Sequence, residues 1–229
     1  MKKVWQKTPA LLKALLLNII LLYPIITINQ IIIKLNLELF PKYGIGLIPV
    51  LILLYLYWKI INKWNPFTGR DDIKISFQFN ILDKKNILLG LGLGVFTLIT
   101  IYFSHLIFDI NNSPQLEFIK SFSNYNAITA IPLLLGLALT AGIVEEVTYR
   151  GFMQNTTHRK YSKIVSYLII GILFSIVHFL PLALILPYIL ISITYSFIAD
   201  KQKSTGLVIF THFLSDFVLF FLIYINVLS

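Results

Sequence analysis

Apolar stretches of about 20 residues recur along the whole chain, and few charged residues interrupt them. A stretch of this length, wound as an α-helix, crosses a hydrocarbon layer of about 30 Å. Charged residues make up 13% of the 229 residues, whereas soluble domains carry about 25%. Because these segments lack polar faces, a soluble fold has nothing with which to cover them. The sequence therefore predicts an all-α, polytopic bundle of transmembrane helices.

Hydropathy divides the chain into about seven predicted spans, and an eighth is possible. The predicted spans cover residues 10–33, 43–61, 86–108, 127–155, 163–180, 182–199 and 206–228. The fourth is longer than a bilayer requires, so its C-terminal end should project into water. The first apolar run continues to residue 33 without a small-residue cleavage site, which predicts an uncleaved helix rather than a signal peptide.

Lysine and arginine are distributed unequally between the two sides of the predicted spans. Of the 19 such residues, 15 lie on one side, three lie on the other, and Arg150 lies inside a span. Because basic loops stay in the cytoplasm, we expect a multi-pass protein of the cell membrane with a cytoplasmic N-terminus and an extracytoplasmic C-terminus. The net charge of +9 thus reflects topology, and no basic and aromatic stripe indicates nucleic acid as a partner. The absence of cysteine excludes disulfides and thiolate metal sites.

Ionisable side chains inside the later spans are the strongest functional signal, since a charged residue at the centre of a span costs about 2.5–3.5 kcal/mol. They lie on the fourth, fifth and seventh spans and comprise Glu145, Glu146, Arg150, His178, His212 and Asp216. Singly, each has an ordinary structural role, as a packing ion pair, an interior histidine or a packing carboxylate. Together they predict one functional cluster that faces the bundle interior. His105 and His158 are assigned structural roles.

Helical spacing predicts how these side chains face. Glu146 and Arg150 are four residues apart, share a helix face and should form an ion pair. Glu145 projects about 100° away from Glu146, toward a different neighbour. His212 and Asp216 are also four residues apart and share a face.

The hairpin between the fourth and fifth spans predicts that Glu145 and His178 meet. If the chain turns near Tyr161, both lie about 25 Å from the turn at 1.5 Å per residue. Phe174, one turn before His178, is placed to pack on the imidazole. His212 lies only about 10 Å from its own loop, so it joins the other two only if the first hairpin protrudes further or the second loop is recessed.

Three motifs in this region resemble those of the CPBP family, which includes type II CAAX prenyl endopeptidases and bacteriocin-processing and self-immunity proteins. The motifs are two glutamates followed by three residues and arginine, Phe-x-x-x-His, and His-x-x-x-Asn or Asp. In this chain they stand as Glu145-Glu146-Val147-Thr148-Tyr149-Arg150, Phe174-Ser175-Ile176-Val177-His178 and His212-Phe213-Leu214-Ser215-Asp216. The resemblance implies a catalytic helical core over residues 126–229, preceded by accessory spans and a cytoplasmic loop over residues 1–125.

The resemblance also implies intramembrane proteolysis, which requires an activated water, a stabilised oxyanion and a proton for the leaving amine. Glu145 is then the candidate base, His178 orients the water and His212 supports the oxyanion. An asparagine amide can donate to an oxyanion, whereas an ionised Asp216 only accepts. Asp216 would therefore be protonated, orient His212 or help to bind a metal. Either Zn²⁺ is held by the histidines and a carboxylate, or no metal takes part and Glu145 activates water directly with His178.

Three functions remain open from the sequence. The leading hypothesis is an intramembrane endopeptidase that hydrolyses a membrane-associated peptide or protein. A second is a non-catalytic bacteriocin self-immunity or membrane scaffold protein that uses the cluster for structure or partner binding. A third is a small proton-coupled transporter, because buried glutamate and histidine also form proton relays. Against the transporter, the chain shows no paired broken helices in two matching halves.

Overall fold

The computed structural model of the chain describes residues 84–108, 114–178 and 182–225, together with scattered positions between residues 12 and 56. The first two predicted spans, 10–33 and 43–61, and the loop before residue 84 therefore lie largely outside the described residues. Every element in the continuous described ranges is helical. The predicted all-α class is confirmed for this part of the chain.

Six helices, numbered here in chain order, build the described part of the bundle. They are α1 Lys84–Phe108, α2 Pro114–Lys120, α3 Ala127–His158, α4 Lys163–Val177, α5 Leu182–Gln202 and α6 Thr205–Tyr224. A short 3-10 turn, Ser121–Asn124, follows α2. Hydropathy did not predict α2, because a helix of seven residues is shorter than the window that detects spans.

Helix α3 changes its winding halfway along. Its first part, Ala127–Glu146, is α-helical, Val147–Met153 forms a π-helical segment, and Gln154–His158 is α-helical again. Its 32 residues exceed the roughly 20 that a bilayer requires, as the sequence predicts. π-Helical segments are rare and frequently accompany functional sites. The two adjacent glutamates lie at the junction between the α- and π-helical parts.

Within the described part of the chain, α1, α3, α5 and α6 are long and apolar enough to cross a membrane. They correspond to the third, fourth, sixth and seventh predicted spans. Helix α4, the fifth, has 15 residues and is about 22 Å long, which is shorter than the predicted 163–180. It ends at Val177, four residues before Pro181 in the sequence, with His178 as its C-terminal cap residue. Four long apolar helices imply a multi-pass protein in a lipid bilayer.

Side-chain caps fix the starts of three helices. The Asn126 side chain accepts a hydrogen bond from the Thr129 amide at 3.0 Å, which caps α3. Ser162 caps α4 and Ser204 caps α6 in the same way. Each side-chain oxygen satisfies an amide that a helix start leaves without an intrahelical partner. The caps at Ser162 and Ser204 thus mark where α4 and α6 begin after short connections.

Helix α1 packs directly on the last two helices. A hydroxyl–hydroxyl hydrogen bond of 2.9 Å joins Thr97 to Tyr195 on α5, and Gly90 lies against Leu207 and Phe210 on α6. The sequence predicts close packing through both Gly90 and Gly94. This is confirmed for Gly90, whereas at Gly94, which is buried, a Cβ atom would meet no described atom within 4 Å.

Candidate functional site

The six ionisable residues singled out from the sequence form two contacting groups, Glu145 with His178 and Glu146 with Arg150, His212 and Asp216, and the groups adjoin where Glu145 and Glu146 are consecutive on α3. Glu145, Glu146 and Arg150 lie on α3, His178 is the residue that ends α4, and His212 and Asp216 lie on α6. Each member is within 3.4 Å of another member. We call these six residues the polar cluster. Its members come from three helices, so the cluster exists only when those helices are packed.

Glu146 is the centre of the polar cluster. It is 0% exposed, and its Oε1 atom accepts hydrogen bonds from Nδ1 of His212 at 2.7 Å and from Nη1 of Arg150 at 2.9 Å. The Arg150 contact is the ion pair predicted from the four-residue spacing. Because a buried carboxylate requires compensating partners, the two contacts explain how this carboxylate is accommodated in the interior.

Arg150 links the cluster to α5. Its Nη2 atom donates to the Ser192 carbonyl oxygen at 3.0 Å and to the Ser192 hydroxyl at 2.8 Å. The guanidinium also lies 5.1 Å from the Phe174 ring and 5.5 Å from the Tyr195 ring, where the aromatic faces stabilise a cation. These contacts hold the guanidinium in one orientation against Glu146.

Glu145 faces a different partner, as its position on the helix predicts. Its Oε2 atom lies 3.4 Å from Nε2 of His178. The other ring nitrogen of His178, Nδ1, lies 2.6 Å from the Phe174 carbonyl oxygen. Since a carbonyl oxygen only accepts, Nδ1 carries the hydrogen and Nε2 is directed at Glu145. The Phe174 ring packs on the imidazole with 4.6 Å between ring centres.

His212 bridges two carboxylates. Its Nδ1 atom bonds to Glu146, and its Nε2 atom lies 3.3 Å from Oδ2 of Asp216. Both ring nitrogens therefore face carboxylate oxygens. Only the doubly protonated imidazolium can donate a hydrogen bond from each nitrogen. The His212–Asp216 pair predicted from helical spacing is present.

One edge of the cluster is more accessible than the rest. The side chains of Glu146 and Arg150 are 0% exposed, whereas those of Asp216 and His178 are 17% and 22% exposed. A molecule that enters the site would thus meet His178 and Asp216 first. Glu145, at 7% side-chain exposure, lies just behind His178.

The sequence leaves open how His212 reaches the level of the other cluster residues, and the crossing of α3 and α6 accounts for it. A Cβ atom on Gly142 would meet the Ile209 carbonyl oxygen and the Phe213 amide nitrogen, each at 3.0 Å. Small residues permit such close backbone approach between membrane helices. Glu146 is one turn after Gly142, on the same face of α3, so the crossing brings it to His212. The sequence did not single out Gly142, although a glycine inside an apolar span is a recognised signal for close packing.

Two polar residues on α5 complete the surroundings of the cluster and were also missed. Ser192 accepts hydrogen bonds from Arg150, as described, and the Tyr195 hydroxyl lies 3.4 Å from the hydroxyl of Ser215 on α6. Both α5 residues are buried, with 0% and 1% exposure. Their one signal in the sequence is polarity within an apolar span, which is weak because serine also bonds to its own helix backbone.

His158, one of the two histidines assigned structural roles, does not join the cluster. His158 lies at the end of α3, where its ring packs against Tyr167 with 5.5 Å between centres. The Tyr167 hydroxyl bonds to Asp200 at 2.9 Å, and Lys163 bonds to the same carboxylate. These contacts tie the start of α4 to the end of α5. The His105 side chain is outside the described residues.

The arrangement does not fit a metal site. Among the described residues, no group of three or more histidine, aspartate or glutamate side chains is placed to hold a metal ion. The donor atoms bond to one another instead: both nitrogens of His212 face carboxylates, and Nδ1 of His178 faces a carbonyl oxygen. We therefore derive no chemical step through a metal.

Comparison with known proteins agrees with the motifs. Residues 127–218 match the family described as type II CAAX prenyl endopeptidase Rce1-like. The matched segment runs from the start of α3 into α6 and contains all six residues of the polar cluster. No curated protein and no solved structure matches the chain significantly.

Proposed function

We propose that this chain, which over residues 127–218 belongs to the Rce1-like type II CAAX prenyl endopeptidase family, is an intramembrane endopeptidase. It would hydrolyse a peptide bond in a membrane-associated protein or peptide. The observation that carries the proposal is the Glu145–His178 pair at 3.4 Å, placed at the accessible edge of an otherwise buried cluster. A carboxylate and an imidazole at this spacing can share one water molecule and activate it.

In the proposed reaction, Glu145 accepts a proton as the water oxygen bonds to the carbonyl carbon of the substrate. The carbonyl π bond breaks, and its electron pair moves to the oxygen to give a tetrahedral oxyanion. The proton on Glu145 then passes to the amide nitrogen, the carbon–nitrogen bond breaks, and an acid and an amine leave. His178, with Nδ1 held by the Phe174 carbonyl oxygen, keeps Nε2 directed at the attacking water.

The remaining members of the cluster would act by charge and position. His212 carries positive charge while it faces Glu146 and Asp216, and this charge stabilises a nearby oxyanion. Arg150 compensates Glu146 and so leaves Glu145 as the carboxylate available for proton transfer. Such preorganised charges act strongly in a site from which water is largely excluded.

The membrane setting supports a substrate that is itself apolar or membrane-attached. Glu145 lies 13 positions before His158, the end of α3, and is therefore about 20 Å from that end of the helix. A peptide bond must reach this depth to be cleaved. We further propose that residues 126–229 form the catalytic core, with the N-terminus cytoplasmic and the C-terminus extracytoplasmic.

The decisive experiment compares membrane peptides from cells that express the wild-type protein or the Glu145→Gln variant. The substitution preserves the size of the side chain but removes the group that accepts the proton, so a product seen by mass spectrometry with the wild type should be absent. Glu117→Gln is the matched control, because Glu117 is an exposed carboxylate on α2. It should leave the product unchanged. Purified protein in lipid nanodiscs should then cleave the identified substrate with the same dependence on Glu145.

Identical peptide patterns for folded Glu145→Gln and wild-type protein would contradict hydrolysis. If immunity to a bacteriocin or binding of a membrane partner also survived Glu145→Gln and His178→Ala, the non-catalytic role would account for the cluster instead. Proton flux in liposomes that depends on Glu145, without cleavage, would favour a transporter.

A further inference from the structure

Hydrogen-bond donors at the accessible edge of the polar cluster are scarce. Nη1 and Nη2 of Arg150 bond to Glu146 and Ser192, and the whole Arg150 side chain is sealed from solvent. Both nitrogens of His212 face carboxylates. Asp216 lies at the accessible edge, but as a carboxylate it accepts hydrogen bonds and donates none. An oxyanion formed beside Glu145 would thus be stabilised by the charge of His212, but none of Arg150, His212 and Asp216 offers it an available hydrogen-bond donor.

Tyr188 on α5 lies beside this edge. Its ring centre is 5.4 Å from that of His178 and 6.4 Å from that of Phe174. Tyr188 is half-buried, and the charged groups that act on its hydroxyl are the carboxylates of Asp216 and Glu145. Tyr188 is one turn before Ser192, which accepts hydrogen bonds from Arg150. It therefore shares the face of α5 that is directed at the cluster.

The Tyr188 hydroxyl has no hydrogen-bond partner among the described residues. This distinguishes it from Tyr195 and Tyr167, whose hydroxyls bond to Thr97 and Asp200. The Tyr188 hydroxyl is also not among the buried side-chain polar atoms that lack a partner, so the hydroxyl is open to an incoming group. A donor fixed by aromatic contacts with His178 and Phe174 is suited to a group that the substrate brings.

We propose that the Tyr188 hydroxyl donates a hydrogen bond to the carbonyl oxygen of the scissile peptide as that oxygen becomes an oxyanion. Tyr188 would thus be a further catalytic residue, and this inference rests on the proposed peptidase function. The hydroxyl keeps its proton throughout: water supplies the atom that bonds to carbon, and Glu145 carries the transferred proton. Tyr188 would supply the donor that the Asp216 carboxylate cannot.

Tyr188→Phe tests the inference, because it removes the hydroxyl and retains the ring that packs on His178. The probes are two pools of acetyl-pentapeptides with degenerate side chains, one ending in an aldehyde and the other in an amide. A hydrated aldehyde resembles the tetrahedral intermediate, and such analogues bind more tightly than ground-state ligands. In nanodiscs, the wild type should prefer the aldehyde pool, and Tyr188→Phe should lose about 10²-fold of that affinity while amide binding is unchanged. Tyr161→Phe, at an exposed tyrosine, is the matched control.

Equal aldehyde affinity in the Tyr188→Phe and wild-type proteins would overturn the role of Tyr188, as would a wild type that prefers neither pool. With an identified substrate, the same variant should lower kcat about 10²–10³-fold and leave KM nearly unchanged. A raised KM with unchanged kcat would also overturn it. The two proposals can fail separately, because only the peptidase proposal predicts that Glu145→Gln abolishes cleavage.

A double variant keeps the test independent of the stability of Tyr188→Phe alone. Asp216→Asn retains an oxygen for Nε2 of His212, 3.3 Å away in the wild type, and adds an amide donor at the same edge. If Tyr188 is the oxyanion donor, Asp216→Asn should recover part of the aldehyde affinity lost in Tyr188→Phe. Strictly additive losses would contradict a shared role, because residues that serve one group are expected to be coupled.

Discussion

Nδ1 of His212 lies 2.7 Å from Oε1 of Glu146, and this contact joins α3 to α6 inside the bundle. The same carboxylate oxygen accepts a hydrogen bond from Arg150, and Arg150 also donates to Ser192 on α5. One buried carboxylate thus connects three helices. This relationship makes the cluster a determinant of stability as well as of the proposed chemistry, and the two roles can be separated by experiment.

Glu146→Ala should destabilise the protein strongly. It leaves Arg150 and His212 buried without their carboxylate, and breaking a buried ion pair costs about 3–5 kcal/mol. The free energy of unfolding in mixed micelles measures the loss. Glu117→Ala, on the exposed face of α2, is the control and should match the wild type. Equal stability of the two variants would show that Glu146 is not the structural centre of the cluster.

Gly142→Ala should separate α3 from α6. The added methyl would meet backbone atoms of Ile209 and Phe213 at 3.0 Å, which cannot move aside as a side-chain end can. We expect a loss of about 1–3 kcal/mol and reduced cleavage, because Glu146 moves away from His212. Gly92→Ala is the matched control, since a Cβ there meets nothing within 4 Å. Wild-type cleavage by Gly142→Ala would contradict the close crossing.

Arg150→Lys should impair both stability and cleavage although it preserves the charge. A lysine ammonium cannot donate to Glu146 and Ser192 in the planar geometry of the guanidinium. Loss of one charge-assisted hydrogen bond corresponds to about 1.5–3 kcal/mol, measurable as the unfolding free energy. The control is Arg159→Lys, at an exposed position after α3. If both substitutions behave like the wild type, the orientation of Arg150 is unimportant.

The membrane orientation can be tested on a chain that has no cysteine of its own. Lys160→Cys lies in the turn between α3 and α4, and Ser123→Cys lies between α2 and α3. If the N-terminus is cytoplasmic, a membrane-impermeant maleimide should label Ser123→Cys in intact cells. It should label Lys160→Cys only after permeabilisation. The reverse pattern would show that the bias of basic residues does not set the orientation.

Local periodicity accounts for what the sequence predicted about the cluster. The Glu146–Arg150 and His212–Asp216 pairs follow from a spacing of four residues on helices that hydropathy already identified. The different directions of Glu145 and Glu146 follow from the 100° rotation per residue. Helix ends were less predictable: α4 ends at Val177, before the apolar run in the sequence ends.

Contacts between helices were predicted less completely. No local sequence pattern indicates that Ser192 accepts a hydrogen bond from Arg150 or that the Tyr188 ring packs on His178. Gly90 and Gly94 are equivalent in the sequence, yet among the described residues only Gly90 has neighbours within 4 Å of a Cβ position. These contacts depend on how far each helix rotates and shifts against its neighbours, which side-chain packing along the whole interface decides.

The sequence alone determined that the described chain is a set of apolar helices and which ionisable residues those helices carry, because helix periodicity and hydropathy are properties of adjacent residues. Tertiary structure decided which carboxylate meets which histidine: Glu145 meets His178 and Glu146 meets His212. The backbone approach at Gly142 sets the relative height of α3 and α6, and no residue spacing within either helix encodes that height.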